Sequence, residues 1–250
     1  PSLYKRVALE MGGKNSVIVL KDADIDLAVA GIMRSVFATS GQRCASAGKI
    51  IVEREVSDEL TERLVNAANK LKVGNGIDPE TELGPVINKV RLKNIEADVN
   101  RAVEQGANIL CGGKIAGEGE LKNGNFFLPT FMNNVTPDME IARTETFGPV
   151  ASIITVNGPK EAIAVANNVR YGLTGAVFTQ DIDKAMIIRD EVEVGVFFIN
   201  AACVGGELSA PFGGFKASGN GKREGSHAML DIYTEWKTVY IQHKPYDSLK

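Results

Sequence analysis

An α/β fold, with a largely parallel sheet and helices on both faces, is what this sequence predicts, and three observations lead there. Short apolar runs of strand length alternate along the chain with amphipathic stretches of helical period, the order that builds β-α-β crossovers. One run, Ser16-Val17-Ile18-Val19-Leu20, is apolar at nearly every position instead of alternate ones, the mark of a strand covered on both faces. A chain of 250 residues, 44% hydrophobic and 24% charged, is long enough to bury such a core as one domain, with or without an appendage.

Taken in order, residues 7–9 read as a strand running into the glycine turn Gly12-Gly13, so the chain opens as if in the middle of a larger arrangement. Residues 16–20 follow as the buried strand. Asp22 or Asp24 then caps a helix over residues 25–38, where Ile25, Ala28, Val29, Ile32 and Val36 recur at helical spacing, and Gly41 stands where a stop is expected. Residues 49–52 resume a strand. Ser57 is read as the cap of a second helix that ends near Gly74-Asn75-Gly76. A long helix over residues 89–105 leads to a strand at 108–111 and a charged, Gly-rich excursion to Asn125.

Residues 126–130 read as a strand edge and 139–144 as a short helix. Strand, helix, strand, helix, strand then follow at 150–156, 160–168, 175–178, 182–190 and 195–200. From Ala201 the periodicity is lost through Gly205-Gly206 and Pro211-Phe212-Gly213-Gly214. Residues 224–232 suit one more helix. The tail, residues 235–241, alternates polar and apolar and reads as a strand that needs a neighbour, one that another subunit can supply.

Composition narrows the function. A net charge of −3 with both signs interspersed gives no reason to expect nucleic acid or an anionic membrane as partner. Cys44, Cys111 and Cys203 form no CxxC pair, and His227 and His243 are too few to complete a zinc cluster, so no metal site is expected. An odd cysteine count, with no signal-like leader and no apolar run near the ~20 residues of a membrane helix, suggests free thiols in the cytoplasm.

Cys44 has two readings. A lone cysteine is most often a small buried hydrophobe, and Cys111 and Cys203 are read that way. Cys44 sits instead among Thr39, Ser40, Gly41, Gln42, Arg43 and Ser46, a poor core. Cationic Arg43 and a helix start after the cysteine would favour the nucleophilic thiolate. Attack on a carbonyl leaves a thioester that needs a base to activate water. Glu10, between an apolar run and two glycines, is the candidate base, against the alternative of a solvated charge at a strand end. Glu145, in a turn with Thr146 and Phe147, suits a ligand carrying hydroxyls and a flat ring.

At these residues the sequence meets a known family. Residues 9–15 (Leu-Glu-Met-Gly-Gly-Lys-Asn) resemble the glutamate motif of the aldehyde dehydrogenase superfamily, and residues 41–44 (Gly-Gln-Arg-Cys) resemble its nucleophile motif. Residues 145–150 and 211–219 resemble two further signatures, in the family's order, and the likeness covers nearly the whole chain. The resemblance implies Cys44 as nucleophile and Glu10 as general base. It implies Glu145 on the nicotinamide ribose, Phe147 near the nicotinamide ring, and Gly12 and Gly13 turning close beside the cofactor. Oxidation of an aldehyde to a carboxylic acid with NAD or NADP follows, since transfer to coenzyme A would not need Glu10. Residues 206–212 resemble the semialdehyde-oxidising branches, such as 2,5-dioxopentanoate dehydrogenase.

The same resemblance sets the domain expectations: a catalytic domain over residues 1–216, a segment over 217–233 that packs back on a cofactor domain, and an oligomerisation strand and tail over 234–250 of a homodimer or homotetramer. The family's Rossmann-like cofactor domain precedes the glutamate motif, and no strand–GxGxxG–helix unit is present here. The chain alone is therefore expected to bind NAD or NADP weakly or not at all and to be inactive. Two rival functions are a cysteine hydrolase, which would need His227 or His243 beside Cys44, and a non-catalytic assembly fragment.

Overall fold

The computed structural model describes residues 4–243. Among the described residues there are nine strands: β1 (Asn15–Val19), β2 (Ala47–Glu53), β3 (Asn108–Cys111), β4 (Thr130–Asn133), β5 (Val150–Val156), β6 (Tyr171–Gly172), β7 (Thr174–Phe178), β8 (Val196–Ile199) and β9 (Phe215–Lys216). Seven of them form one sheet in the order β3-β4-β5-β2-β1-β7-β8. Every neighbouring pair is parallel except β3 with β4 at one edge. The short β6 and β9 pair antiparallel by themselves.

The sheet is covered on both faces because successive strand residues point to opposite sides and both sides are apolar. Val17, Val19, Ile50, Val52, Ala176 and Phe178 pack on α1 (Ile25–Phe37) and α2 (Arg54–Lys70). Ile18, Leu20, Ile51, Ile154 and Val177 face the other way, onto α3 (Lys89–Glu104), α5 (Pro159–Asn167) and α6 (Ile182–Glu191). The remaining helices, α4 (Glu140–Arg143) and α7 (Leu230–Tyr233), are single turns. The predicted α/β class is thus the observed one.

Several elements begin elsewhere than the sequence suggests. Asp24, not Asp22, caps α1, accepting the Leu27 N–H at 3.1 Å; Asp22 instead takes the Thr179 hydroxyl at 2.9 Å. Helix α2 starts at Arg54 because β2 feeds it with no loop between. Ser57 is therefore an interior residue, buried with its hydroxyl 2.9 Å from that of Thr155. Residues 7–9 form no strand; Glu10 makes only an isolated bridge to Gly219, and the Met11 N–H donates to the Ser218 carbonyl at 3.1 Å. The helix expected over residues 224–232 is reduced by Gly225, at φ 72°, to a 3-10 turn and α7.

The C-terminal stretch returns to the start of the chain. Arg6 donates to the carbonyls of Asp231 and Thr234 and pairs with Glu235 at 2.5 Å. Beyond it, residues 234–243 form no strand in the single chain, and Trp236, Tyr240 and Ile241 are exposed. The remainder of the expected tail, residues 244–250, lies outside the described residues. Among the described residues no helix is long and apolar enough to cross a membrane.

Candidate active site

Parallel strands all enter the sheet from one side, so the segments that precede β1, β2 and β5 converge at its amino edge. Those segments carry Glu10, Gly12 and Gly13; Cys44; and Glu145 and Phe147. Open α/β sheets more often hold ligands at the carboxyl edge. Here the chemistry-bearing residues gather at the opposite one.

The loop before β2 holds Cys44 under strain. Thr39, Ser40 and Gly41 are consecutive left-handed residues at φ 55°, 56° and 68°, unfavourable for the first two and for β-branched Thr39 above all. Hydrogen bonds hold it so. Ser40 Oγ donates to the Gly84 carbonyl at 2.8 Å, and Arg43 Nε donates to Thr39 Oγ1 at 2.8 Å. Gln42 Oε1 accepts the Ile87 N–H at 2.8 Å. A Cβ on Gly41 would stand 2.1 Å from the Gly148 carbonyl oxygen, so only glycine lets this loop touch the turn before β5. Asn15 fastens the loop to β1: its Nδ2 donates to the carbonyls of Cys44 and Ser46 at 2.7 and 2.8 Å, while its Oδ1 accepts the Thr174 N–H at 3.0 Å.

Cys44 itself is half-buried. Its thiol is pushed up from the ordinary cysteine range, first by burial and then by the negative charges of Glu145 and Glu10, against which the amides of Ala45 and Cys44 act. Two expectations are corrected here. No helix follows Cys44: Ser46 N–H closes a turn onto the Arg43 carbonyl, and β2 begins at Ala47. Nor does Arg43 draw the thiol down, since its side chain is exposed and bound to Thr39. Cys111 and Cys203 are core residues; burial pushes the Cys203 thiol to about 11, and its Sγ lies 3.4 Å from the Ala45 carbonyl.

Glu145 lies over the glycine pair. Its Oε1 accepts the Gly13 N–H at 3.3 Å, and a Cβ on Gly12 would meet Oε2 at 1.9 Å, so glycine at 12 is what admits the carboxylate. Burial raises its pKa, opposed by the Gly13 amide and by Lys14, Arg91 and Arg170. Phe147 also adopts a left-handed backbone, φ 53°, a genuine outlier for an aromatic residue. Its ring lies between a wide cleft of about 1220 Å³, shared with Gln42 and Ile87, and a narrow cavity of about 20 Å³ shared with Glu145 and Ser46. The Ser46 hydroxyl has no hydrogen-bond partner among the described residues.

Glu10 stands apart from this tight group. Glu10 is exposed in the single chain; its carboxylate lies against Gly213, and the partial desolvation there and the charge of Glu224 raise its pKa, with Arg223 opposing. Among the described residues no hydrogen bond joins Glu10 to Cys44; the two communicate through charge. His227 and His243, the two histidines of the rival hydrolase reading, are both exposed, His227 in the C-terminal 3-10 turn.

Two buried lysines complete the edge. Lys14 lies beneath the glycine pair, its ammonium 2.8 Å from where a Gly48 Cβ would be, and desolvation lowers it to about 8. Lys49 donates to the Val165 carbonyl at the end of α5 at 2.7 Å and is lowered to about 7, chiefly by burial. Ser218, from the last of the four motifs, donates to the Gly12 carbonyl at 2.7 Å and accepts the Gly172 N–H at 3.0 Å.

The aldehyde dehydrogenase family model matches residues 2–239. The chain belongs to the aldehyde dehydrogenase family. Among its relatives in that family, an alpha-ketoglutaric semialdehyde dehydrogenase of Bacillus subtilis (strain 168) is 36% identical over 94% of this chain and 48% of its own length. A betaine aldehyde dehydrogenase of the same organism is 40% identical over 96% of the chain and 49% of its length. A lactaldehyde dehydrogenase of Methanococcus aeolicus is 39% identical over 96% and 50%. The betaine aldehyde dehydrogenase of Staphylococcus aureus in complex with NAD+ superposes with a TM-score of 0.89 at 37% identity, over 92% of this chain and 46% of that one. The chain thus spans about half the length of these aldehyde dehydrogenases.

The contacts that Asn15, Gln42, Ser218 and Arg91 make come from the structure. For Asn15 a signal was present, a polar residue opening an otherwise apolar strand. For Arg91 there was none, because one basic residue on a polar helix face looks like any other.

Proposed function

We propose that this chain is the catalytic part of an NAD(P)-dependent aldehyde dehydrogenase that oxidises an aldehyde to a carboxylic acid through a cysteine-bound thiohemiacetal and thioester. One observation supports this most: a strained loop presents the Cys44 thiol beside its own amide and that of Ala45, with Glu145 close by over Gly12 and Gly13. The names of the relatives, all aldehyde dehydrogenases, support the reaction class.

In this reading Cys44 Sγ attacks the aldehyde carbon, and the two amides that face the sulfur are placed to hold the developing alkoxide. The thiol proton passes to solvent, so Glu10 stays ionised for the step that follows, with a carboxylate made more basic by desolvation and by the charge of Glu224. Glu145 fits the ribose of a nicotinamide cofactor: it is a half-buried acceptor with one oxygen on Gly13 and the other open to sugar hydroxyls, and Phe147 is the flat apolar surface beside it. Bound there, such a cofactor supplies the acceptor for the hydride that leaves the thiohemiacetal carbon. Glu10 then takes a proton from water, the hydroxide cleaves the Cys44 thioester, and the acid departs with the thiol restored.

NAD or NADP would be held weakly by this chain alone, since the residues above meet only the ribose and ring. Residues 1–216 would be the catalytic domain, 217–233 the segment that packs on a cofactor domain, and 234–250 the strand that joins subunits into a homodimer or homotetramer in the cytoplasm. A semialdehyde such as 2,5-dioxopentanoate is the substrate to test first, on the likeness of residues 206–212 and the semialdehyde-oxidising relative.

Rapid mixing of the natural protein with cofactor and aldehyde tests the mechanism. A burst of reduced cofactor equal to the Cys44 content is expected, absent in C44S. In E10Q the burst should persist while steady turnover falls, leaving an acyl group on Cys44. Full turnover by E10Q would remove the assigned base, and turnover by C44S would remove the mechanism.

A further inference from the structure

We propose that Arg91, on α3, is a positioning residue that holds the Glu145–Phe147 turn in its left-handed form and so sets the affinity for the nicotinamide cofactor. The assignment rests on Glu145 and Phe147 receiving that cofactor, as proposed above.

Phe147 does not adopt φ 53° unaided; a β-carbon and a bulky ring make that backbone costly, and surrounding contacts must impose it. Arg91 makes two of them. Its Nη1 donates to the carbonyl of Thr146, the residue between the carboxylate and the ring, at 3.4 Å. Its guanidinium carbon lies 5.6 Å from the Phe147 ring centroid, within the about 6 Å reach of a cation–π contact. The residue is itself fixed, half-buried in the first turn of α3, where the Asn88 side chain accepts its backbone N–H at 2.8 Å. The same approach to α3 carries Ile87, whose N–H holds Gln42 of the thiol loop. One short segment thus braces both halves of the site.

Arg91 also bears on the charge of Glu145. Five groups face that carboxylate: the Cys44 thiol from the loop before β2, which is neutral when protonated, and four that carry or offer positive charge, the Gly13 amide and Lys14 before β1, Arg91 from α3, and Arg170 after α5. Those four favour the ionised form against burial, so removing Arg91 leaves Glu145 easier to protonate. Cofactor binding in the unsubstituted protein should weaken as pH falls and Glu145 takes up a proton. In Arg91→Met that weakening should set in at higher pH.

Equilibrium binding of reduced cofactor to the natural protein, followed by the cofactor's own fluorescence across pH, tests this with E145Q as reference. R91M is expected to weaken binding about tenfold near neutral pH and to move the acid limb upward, while the KM for aldehyde stays unchanged. R91K keeps a cation over the ring and should restore the limb. A thermal melt of each variant separates loss of the turn from loss of the fold. If E145Q weakens binding and R91M, folded, does not, the role of Arg91 is overturned and that of Glu145 stands. If E145Q binds as the unsubstituted protein does, the reading of the cofactor site fails and takes this one with it.

Discussion

The two edges of the sheet use the same residue types differently. At the carboxyl edge, Asp24 caps α1, Glu53 accepts the Lys21 N–H at 2.6 Å, and Asp22 takes the Thr179 hydroxyl. Asp181 caps α6, and the Lys184 amide leads the contacts that hold its carboxyl below the usual range. At the amino edge, desolvation, partial at exposed Glu10, raises Glu10, Glu145 and Cys44 and lowers buried Lys14 and Lys49. Thr39, Ser40 and Phe147 are left-handed there. At the carboxyl edge the carboxylates meet nearby amides and hydroxyls and hold strand and helix ends in place. Asn134 and Asn200 are left-handed at that edge, a backbone that asparagine tolerates; the costlier left-handed residues and the perturbed charges lie where the proposed chemistry needs them.

Substitutions can break that contrast. Cys44→Ser in the natural protein should lower aldehyde oxidation at least about a thousandfold, because a serine hydroxyl is not ionised near neutral pH. Its melting temperature should stay within a few degrees, and wild-type turnover would dissolve the contrast altogether.

Gly12→Ala comes next. The added methyl takes the place of Glu145 Oε2, so the KM for cofactor should rise about tenfold while the thioester burst at saturating cofactor persists. An unchanged KM would mean that the carboxylate has somewhere else to go.

Buried Lys49 sharpens the comparison through pH. It titrates near about 7 in the fold and near 10.5 when unfolded, so between those values the unfolded chain binds the extra proton. The Lys49 contribution to stability therefore rises with pH across that window, by at most about 1.4 kcal/mol per pH unit where the difference is one full proton, while above about pH 9 the raised Cys203 thiol acts the other way. Lys14, lowered to about 8, adds to the upper part of it. Denaturant unfolding from pH 7 to 10 should show the rise, and Lys49→Met should flatten it. A slope identical in K49M would show that Lys49 stays charged in the fold.

The smallest effect belongs to the carboxyl edge. Asp24→Ala removes one cap and should cost about 1 kcal/mol of stability, with kcat/KM unchanged. A loss of activity there would mean that the two edges are coupled.

Much of this arrangement was legible in the sequence. The β5 bounds were read as observed, and α1, α3 and α6 to within a residue, because strong apolar periodicity leaves little choice of element. Boundaries failed where a local signal had a non-local use, as with Ser57, whose hydroxyl bonds Thr155 instead of capping α2. The site motifs were also legible, since Gly12, Gly41 and Cys44 stand in an order whose residue types make little sense as a core.

By itself, the sequence determined the alternation of strands and helices, because that follows from residue type and spacing, and its motifs singled out the groups proposed to react. Tertiary structure alone decided which groups meet: that Glu145 rests on Gly12 and Gly13, that Glu10 lies against Gly213 instead of bonding Cys44, and that Arg91 reaches Phe147. It also reversed the expected direction of the Cys44 thiol. The physical reason is that burial and through-space charge depend on what the fold brings near a group, and neighbours in the chain do not fix that.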